Sequence, residues 1–198
     1  MSVFTIALTL FIIANPIGVT PVIVSLIKDF DFKRQRFIAF REAMLALFLA
    51  LFFQYFGEVF LNALQIKPFA VTITGGLLLF AVALSMIFSF HESTEEAKQV
   101  KQEPFFVPIA TPIISGPGLL ATIMILSQRE NNNFKLTMAI LLAWIPVTAV
   151  MTFAPYLQKI FGKRGLAGME QLMGMILALL SMELVVKGTA MLYHAIYT

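Results

Sequence analysis

Two proline-glycine runs hold the residues most able to do chemistry in this chain: Asn15-Pro16-Ile17-Gly18-Val19-Thr20-Pro21, and Thr111-Pro112-Ile113-Ile114-Ser115-Gly116-Pro117-Gly118. Each lies inside an apolar stretch. A proline within a helix has no amide hydrogen and crowds the carbonyl four residues earlier. Pro16 and Pro21 thus release the carbonyls of Ile12 and Ile17, and Pro112 and Pro117 act in the same way on Pro108 and Ile113. Gly116 and Gly118 favour local unwinding. Backbone groups freed at bilayer depth are costly unless protein, water or a solute satisfies them, so such breaks favour a protein-enclosed cavity. A half-helix starting there points amide hydrogens and a positive dipole end outward, which suits a carboxylate or another electron-rich group. The expected solute-binding set is therefore Asn15, Pro16, Gly18 and Thr20 with Thr111, Ser115, Gly116 and Gly118. Plain proline kinks are the alternative, and two breaks at matching positions weigh against it.

Glu183 and Lys187 form a second constellation, four residues apart inside the last apolar run. That spacing and order suit pairing on one helix face. They are expected to neutralise each other, and the functional alternative makes them a coupling or gating pair. Arg41, Glu42 and Glu58 are expected at the membrane interface. His91 and His194 have no spacing that suits a metal, and the chain has no cysteine. Ser115 lacks the glycine two residues earlier that a nucleophile loop needs, and no base accompanies it. With no catalytic set, no metal site and no cofactor motif, the chain is not expected to be an enzyme.

The surrounding elements follow from composition. Of 198 residues, 59% are hydrophobic and 13% charged, whereas soluble domains carry about 25% charged residues. The apolar residues fall in runs of about 20, the length a helix needs to cross ~30 Å of hydrocarbon. The pattern predicts six transmembrane helices, at about 3–27, 36–60, 68–90, 105–127, 135–160 and 166–196. The first and fourth are expected to be broken mid-membrane. Phe161-Gly162-Lys163-Arg164-Gly165 suits a tight turn between the last two. Residues 91–104 read as a polar linker between a first half of about 1–90 and a second of about 105–198, within one membrane domain. No Lys or Arg precedes residue 28, so the first helix is expected to be retained rather than cleaved as a leader.

Lys and Arg are held back on the cytoplasmic side of a membrane. Lys28, Lys33, Arg34, Arg36, Arg41, Lys98, Lys101, Lys159, Lys163 and Arg164 fall on one side, and Lys67, Arg129 and Lys135 on the other. Ten against three places both termini outside the cytoplasm. The net charge of +3 thus serves topology, and no basic groove interleaved with aromatics suggests nucleic acid.

A shift of 96 residues lays Pro16-Ile17 on Pro112-Ile113, Pro21 on Pro117, and Leu84-Ser85-Met86 on Leu180-Ser181-Met182. Three helices per copy is an odd number, so the second copy must enter from the opposite face: an all-α protein of two inverted three-helix repeats. Gly75, Gly76 and Gly174 are expected to let helices pack closely.

Asn15-Pro16-Ile17-Gly18 with Pro21, Phe106-Val107-Pro108 through Ser115-Gly116-Pro117-Gly118, Thr74-Gly75-Gly76, and Gly162-Lys163 with Leu172-Met173-Gly174 resemble the MarC-related integral membrane proteins over nearly the whole chain. The resemblance implies six helices in a bacterial inner membrane and, for one branch, transport of small neutral amino acids such as glycine or alanine. Gln171 departs from the Arg that relatives often carry before Leu-Met-Gly, and Glu183/Lys187 is not a family feature. Alternating access between the halves, coupled to an ion or proton gradient, is the expected mechanism. Drug or metabolite efflux, a channel and an accessory subunit are the alternatives. Membrane lipid is the expected surrounding, and the glycine faces do not distinguish a monomer from an oligomer.

Overall fold

The structure, a computed structural model, describes residues 2–88, 116–130 and 132–197. The described residues are helical, without strands: α1 (Val3–Ala14), α2 (Thr20–Ile27), α3 (Phe32–Ala63), α4 (Pro68–Ile87), α5 (Pro117–Arg129), α6 (Asn133–Thr152) and α7 (Ala154–Tyr197). Among the described residues, four stretches are long and apolar enough to cross a membrane: Phe32–Ala63, Pro68–Ile87, Asn133–Thr152 and Arg164–Tyr197. The linker at 91–104, His91, and the Thr111 to Ser115 part of the second run lie outside the described residues.

Local chemistry sets the helix ends. Ser2 Oγ accepts from the Thr5 amide at the start of α1 (3.1 Å), and Asn132 Oδ1 does the same for Lys135 at the start of α6 (3.1 Å). α4 and α5 begin with a proline, whose missing amide hydrogen would have been an orphan there anyway. α3 ends with the Ile66 amide on the Leu61 carbonyl (2.9 Å) and the Gln65 amide on Asn62 (3.1 Å). Gln65 takes the left-handed conformation (φ 55°), so this is a Schellman close with glutamine where glycine is usual.

Inside, small residues set how closely the helices approach. Ala39, Ala43, Ala46 and Ala50 bury one face of α3, and α6, which packs on α1 and α3, buries Ala139, Ala143, Trp144 and Val147. Trp144 Nε1 donates to the Ala43 carbonyl across that seam (2.8 Å). α4 runs along α7. A Cβ at Gly76 would lie 2.9 Å from the Ser181 carbonyl oxygen and 3.0 Å from the Val185 amide nitrogen, and one at Gly174 would lie 3.1 Å from the Ala83 carbonyl oxygen. Gly188 makes the same approach to Ile73. Outward faces are as apolar as the core, with Phe48, Phe52, Phe56, Leu172 and Leu179 exposed, as expected of helices solvated by lipid tails.

Two helix ends depart from what the sequence pattern predicts. The pattern places the fifth helix over 135–160, but α6 stops at Thr152, where Phe153 caps it and the chain re-enters a helix at Ala154. Gly162 (φ 65°, ψ 176°) then interrupts α7, within the glycine turn. Arg36 lies over the rings of Phe153 (5.4 Å) and Tyr156 (5.8 Å), and Phe32 meets Tyr156 edge-on at 4.5 Å. The α2–α3 and α6–α7 connections therefore share one end of the bundle. At the other end, Gln54 Nε2 donates to the Asn133 carbonyl and to Thr137 Oγ1, both at 2.9 Å.

Candidate functional site

The first break is a compact buried turn. α1 stops at Ala14 because Asn15 adopts the left-handed conformation (φ 49°, ψ 48°), with its amide still bonded to the Phe11 carbonyl (3.0 Å). Asparagine tolerates that region better than most residues. Its side chain closes the turn: Oδ1 accepts from the Gly18 amide (3.2 Å), and Nδ2 donates to the Met86 sulfur (3.3 Å). Thr20 Oγ1 donates to the carbonyl of Pro16 (2.8 Å), and the Thr20 amide to that of Ile17 (3.2 Å). A Cβ on Gly18 would collide with the Asn15 side chain and the Met86 methyl. Asn15, Pro16, Gly18 and Thr20 are thus brought together, all buried, and bonded to one another or to α4.

The second run is described from Gly116 onward. Gly116 is extended (φ −63°, ψ 162°) and caps α5, accepting from the Leu120 amide (3.1 Å). Gly118 faces α4 at Leu79 and the Gly75 carbonyl, and a Cβ on Gly75 would lie 2.6 Å from that of Ala121. Thr122 Oγ1 donates to the Gly118 carbonyl (2.8 Å). Asn15 touches α4 at Met86 and Gly118 touches it at Leu79, seven residues away, which is about 10 Å along a helix.

A cavity of about 290 Å³ lies between α1, α4, α5 and α7. Ile13, two residues before Asn15, and Thr122, one turn after Gly118, line it, so both breaks lie just beyond its wall. None of the described break residues lines it. Glu183 and Lys187 do, paired at 3.0 Å with side chains 58% and 50% exposed. Arg129 and Glu130 line the end at which α5 stops. Glu130 accepts from Lys135 Nζ (2.6 Å), and that hydrogen bond holds its carboxyl below the usual glutamate value. The described residues hold no group of three or more His, Cys, Asp or Glu placed to bind a metal.

Residues 1–193 match the model of the MarC family of integral membrane proteins. The chain belongs to the MarC family. Among its relatives, the UPF0056 membrane protein BU449 of Buchnera aphidicola subsp. Acyrthosiphon pisum is 36% identical over 90% of this chain and 91% of its own length. The UPF0056 inner membrane protein YhgN of Escherichia coli is 34% identical over 93% and 94%. A UPF0056 membrane protein of Chlamydia trachomatis is 34% identical over 99% and 97%. No solved structure matches.

In this MarC chain the structure adds residues that sequence reasoning passed over. Glu42, expected at the interface, is fully buried, and Arg41 donates to its Oε1 through Nε (3.0 Å) and Nη2 (2.8 Å). The available signal was register, because Glu42 lies on the alanine face formed by Ala39, Ala43 and Ala46. Thr9, Thr72, Thr122 and Arg129 line the cavity but sit in ordinary positions of the sequence.

Proposed function

We propose that this member of the MarC family is a secondary transporter of small neutral amino acids, such as glycine or alanine, coupled to an ion or proton gradient and working by alternating access in a bacterial inner membrane. The observation that carries the reading is the cavity, because its walls come from α1 and α4 and from α5 and α7, one pair from each half of the chain. Its volume of about 290 Å³ is at the lower edge of the roughly 300–1,000 Å³ typical of pockets for drug-sized ligands. A small solute suits it better than a drug.

The six-helix inverted repeat makes α1 with α2, α3 and α4 the first copy, and the second run with α5, α6 and α7 the other. In its favour, one pair of contacts is exchanged between the copies, α4 packing on α5 as α2 packs on α7, and α3 meets α6 as α4 meets α7, whereas the packing of α3 on α5 has no such counterpart. The Arg36 stack on Phe153 and Tyr156 gathers two positively charged connections at one end, in keeping with a cytoplasmic side there and both termini outside. YhgN's name places that relative in the inner membrane. In this reading the cavity faces outward, and the solute continues past its wall to Asn15, Pro16, Gly18, Thr20, Thr111, Ser115, Gly116 and Gly118. Rocking of one half against the other would expose it on the far side, with no covalent step.

The test is counterflow. Purified protein in liposomes loaded with unlabelled alanine should accumulate labelled alanine saturably, and Asn15→Ala or Gly116→Leu should abolish this. A folded protein that shows no counterflow with any small neutral amino acid would overturn the substrate class.

A further inference from the structure

The cavity has a chemical polarity of its own. Thr9 Oγ1 donates to the Thr5 carbonyl (2.9 Å), Thr72 Oγ1 to that of Pro68 (2.8 Å), and Thr122 Oγ1 to that of Gly118 (2.8 Å). A hydroxyl has a single hydrogen. With that hydrogen committed to the helix backbone, each of these cavity-lining threonines can offer a solute only lone pairs. Glu183 adds carboxylate oxygens, and the cations are Arg129 and Lys187.

These groups are ordered along the cavity. On α5, Thr122 precedes Arg129 by seven residues, about 10 Å of helix, and on α7 Glu183 precedes Lys187 by about 6 Å. The two helices run in the same direction, since both are antiparallel to α4: Gly118 meets Leu79 and Ala121 meets Gly75 on α5, and Gly174 meets Ala83 and Gly188 meets Ile73 on α7. Arg129 Nη2 reaches the Met191 sulfur (3.4 Å) one turn beyond Lys187. On α5 and α7 the acceptors Thr122 and Glu183 therefore lie deeper than the cations, while Thr72 of α4 lies level with the cations, its hydroxyl 3.9 Å from the same Met191 sulfur.

Arg129 supplies an independent clue. Its one hydrogen-bond partner among the described residues is that sulfur, a weak acceptor, while the adjacent Glu130 is taken by Lys135 (2.6 Å). A guanidinium carries five donors in a fork shaped for a carboxylate. A charge favourable to the C-terminus of α5 would be supplied as well by lysine, so that role does not account for the fork.

We infer that the cavity binds a small solute bearing both a primary ammonium and a carboxylate, ammonium innermost, with Arg129 as the carboxylate-binding residue and Glu183 and Thr122 as acceptors for the ammonium. The incoming ammonium replaces Lys187 as the partner of Glu183, and Lys187 turns to the carboxylate beside Arg129. The inference rests on the carrier reading only for the passage of the bound solute across the membrane.

The experiment is binding of labelled alanine to the full chain in lipid nanodiscs, with propionate (no ammonium) and alaninamide (no carboxylate) as competitors. Both should compete at least about tenfold more weakly than alanine, because a lost charged hydrogen bond typically changes affinity by ten- to a hundredfold. Arg129→Gln and Glu183→Gln should weaken alanine binding by a similar factor, and Arg129→Lys, which keeps the charge and loses the fork, by less. Thr122→Val should weaken it and Thr122→Ser restore it. Alaninamide competing as well as alanine, unchanged affinity in both Arg129→Gln and Glu183→Gln, or no alanine binding by the folded wild type would overturn the site. Counterflow with unchanged half-saturation in Arg129→Gln would overturn the site and leave the carrier standing. Arg129-dependent binding without counterflow would do the reverse.

Discussion

The turn at Asn15 and the cavity lined by Arg129 are both polar interruptions of an apolar bundle, and they meet the cost of polarity in opposite ways. At the turn, the side-chain polar groups of Asn15 and Thr20 are bonded within the protein, and both residues are almost completely buried. In the cavity, both side chains of the Glu183–Lys187 pair are at least half exposed and three threonines keep lone pairs available. Burying an unsatisfied polar group costs on the order of 1–3 kcal/mol, so closure by Asn15 stabilises the turn, and a solute that reaches the turn in the proposed cycle must take over those bonds. The difference separates a turn whose polar groups are closed by protein from a cavity whose polar groups stay open, as the proposed exchange of partners requires.

Substitutions should separate the two regions by what they change. Gly18→Leu should have the largest effect, because its Cβ alone meets the Asn15 side chain and the Met86 methyl. Inserting extra methylenes into a packed site costs about 1–3 kcal/mol and more where the site cannot give. Leucine adds four carbons where even the first collides, so the cost should exceed that of any other change here and a large loss of monodisperse protein is expected, measured by fluorescence-detected gel filtration. Asn15→Ala comes next. It removes both side-chain bonds and places alanine at φ 49°, a combined cost of roughly 2–4 kcal/mol. Asn15→Gly should recover the backbone share only, so thermal melts in the order wild type, Gly, Ala would confirm that conformation and hydrogen bonding both contribute. Equal melting of the Gly and Ala variants would mean that the left-handed geometry carries no strain. The double change Glu183→Gln with Lys187→Gln should shift stability by less than about 1 kcal/mol, the usual range for an exposed pair, while binding falls. A large loss of stability would make the pair structural and erase the contrast between the regions.

Much of the fold was legible because lipid imposes length and hydrophobicity together, and these are visible in a single sequence. The break at Asn15 was legible for the same reason: proline and glycine leave few backbone choices. The closure of that break was not. Pro16 and Pro21 indicate where a helix is interrupted, but only the tertiary contact with Met86 and the left-handed state of Asn15 show that the interruption is sealed by protein. The cavity was least legible. Thr9, Thr72 and Thr122 are ordinary helix residues in sequence, and their acceptor-only character appears once their hydrogens are traced to Thr5, Pro68 and Gly118. Glu42 shows the same limit, since its place on an alanine face outweighs its nearness to the charged end of α3.

The smallest expected effect lies at the rim, where Glu130 belongs to neither region. Its carboxyl is held below the ordinary value of 4.5 by the hydrogen bond from Lys135. A group whose folded value is depressed contributes stability that is fully present above its unfolded value and lost as pH falls through the folded one. The difference in melting temperature between wild type and Glu130→Gln should therefore be small and flat from about pH 7 to 5, and should close below pH 4.5. Alanine binding should be nearly unaffected by Glu130→Gln at neutral pH, because the Lys135 bond already occupies this carboxylate. A loss of binding as large as that of Glu183→Gln would place Glu130 among the groups that face the solute and move the recognition site outward, from the paired charges on α7 to the end of α5.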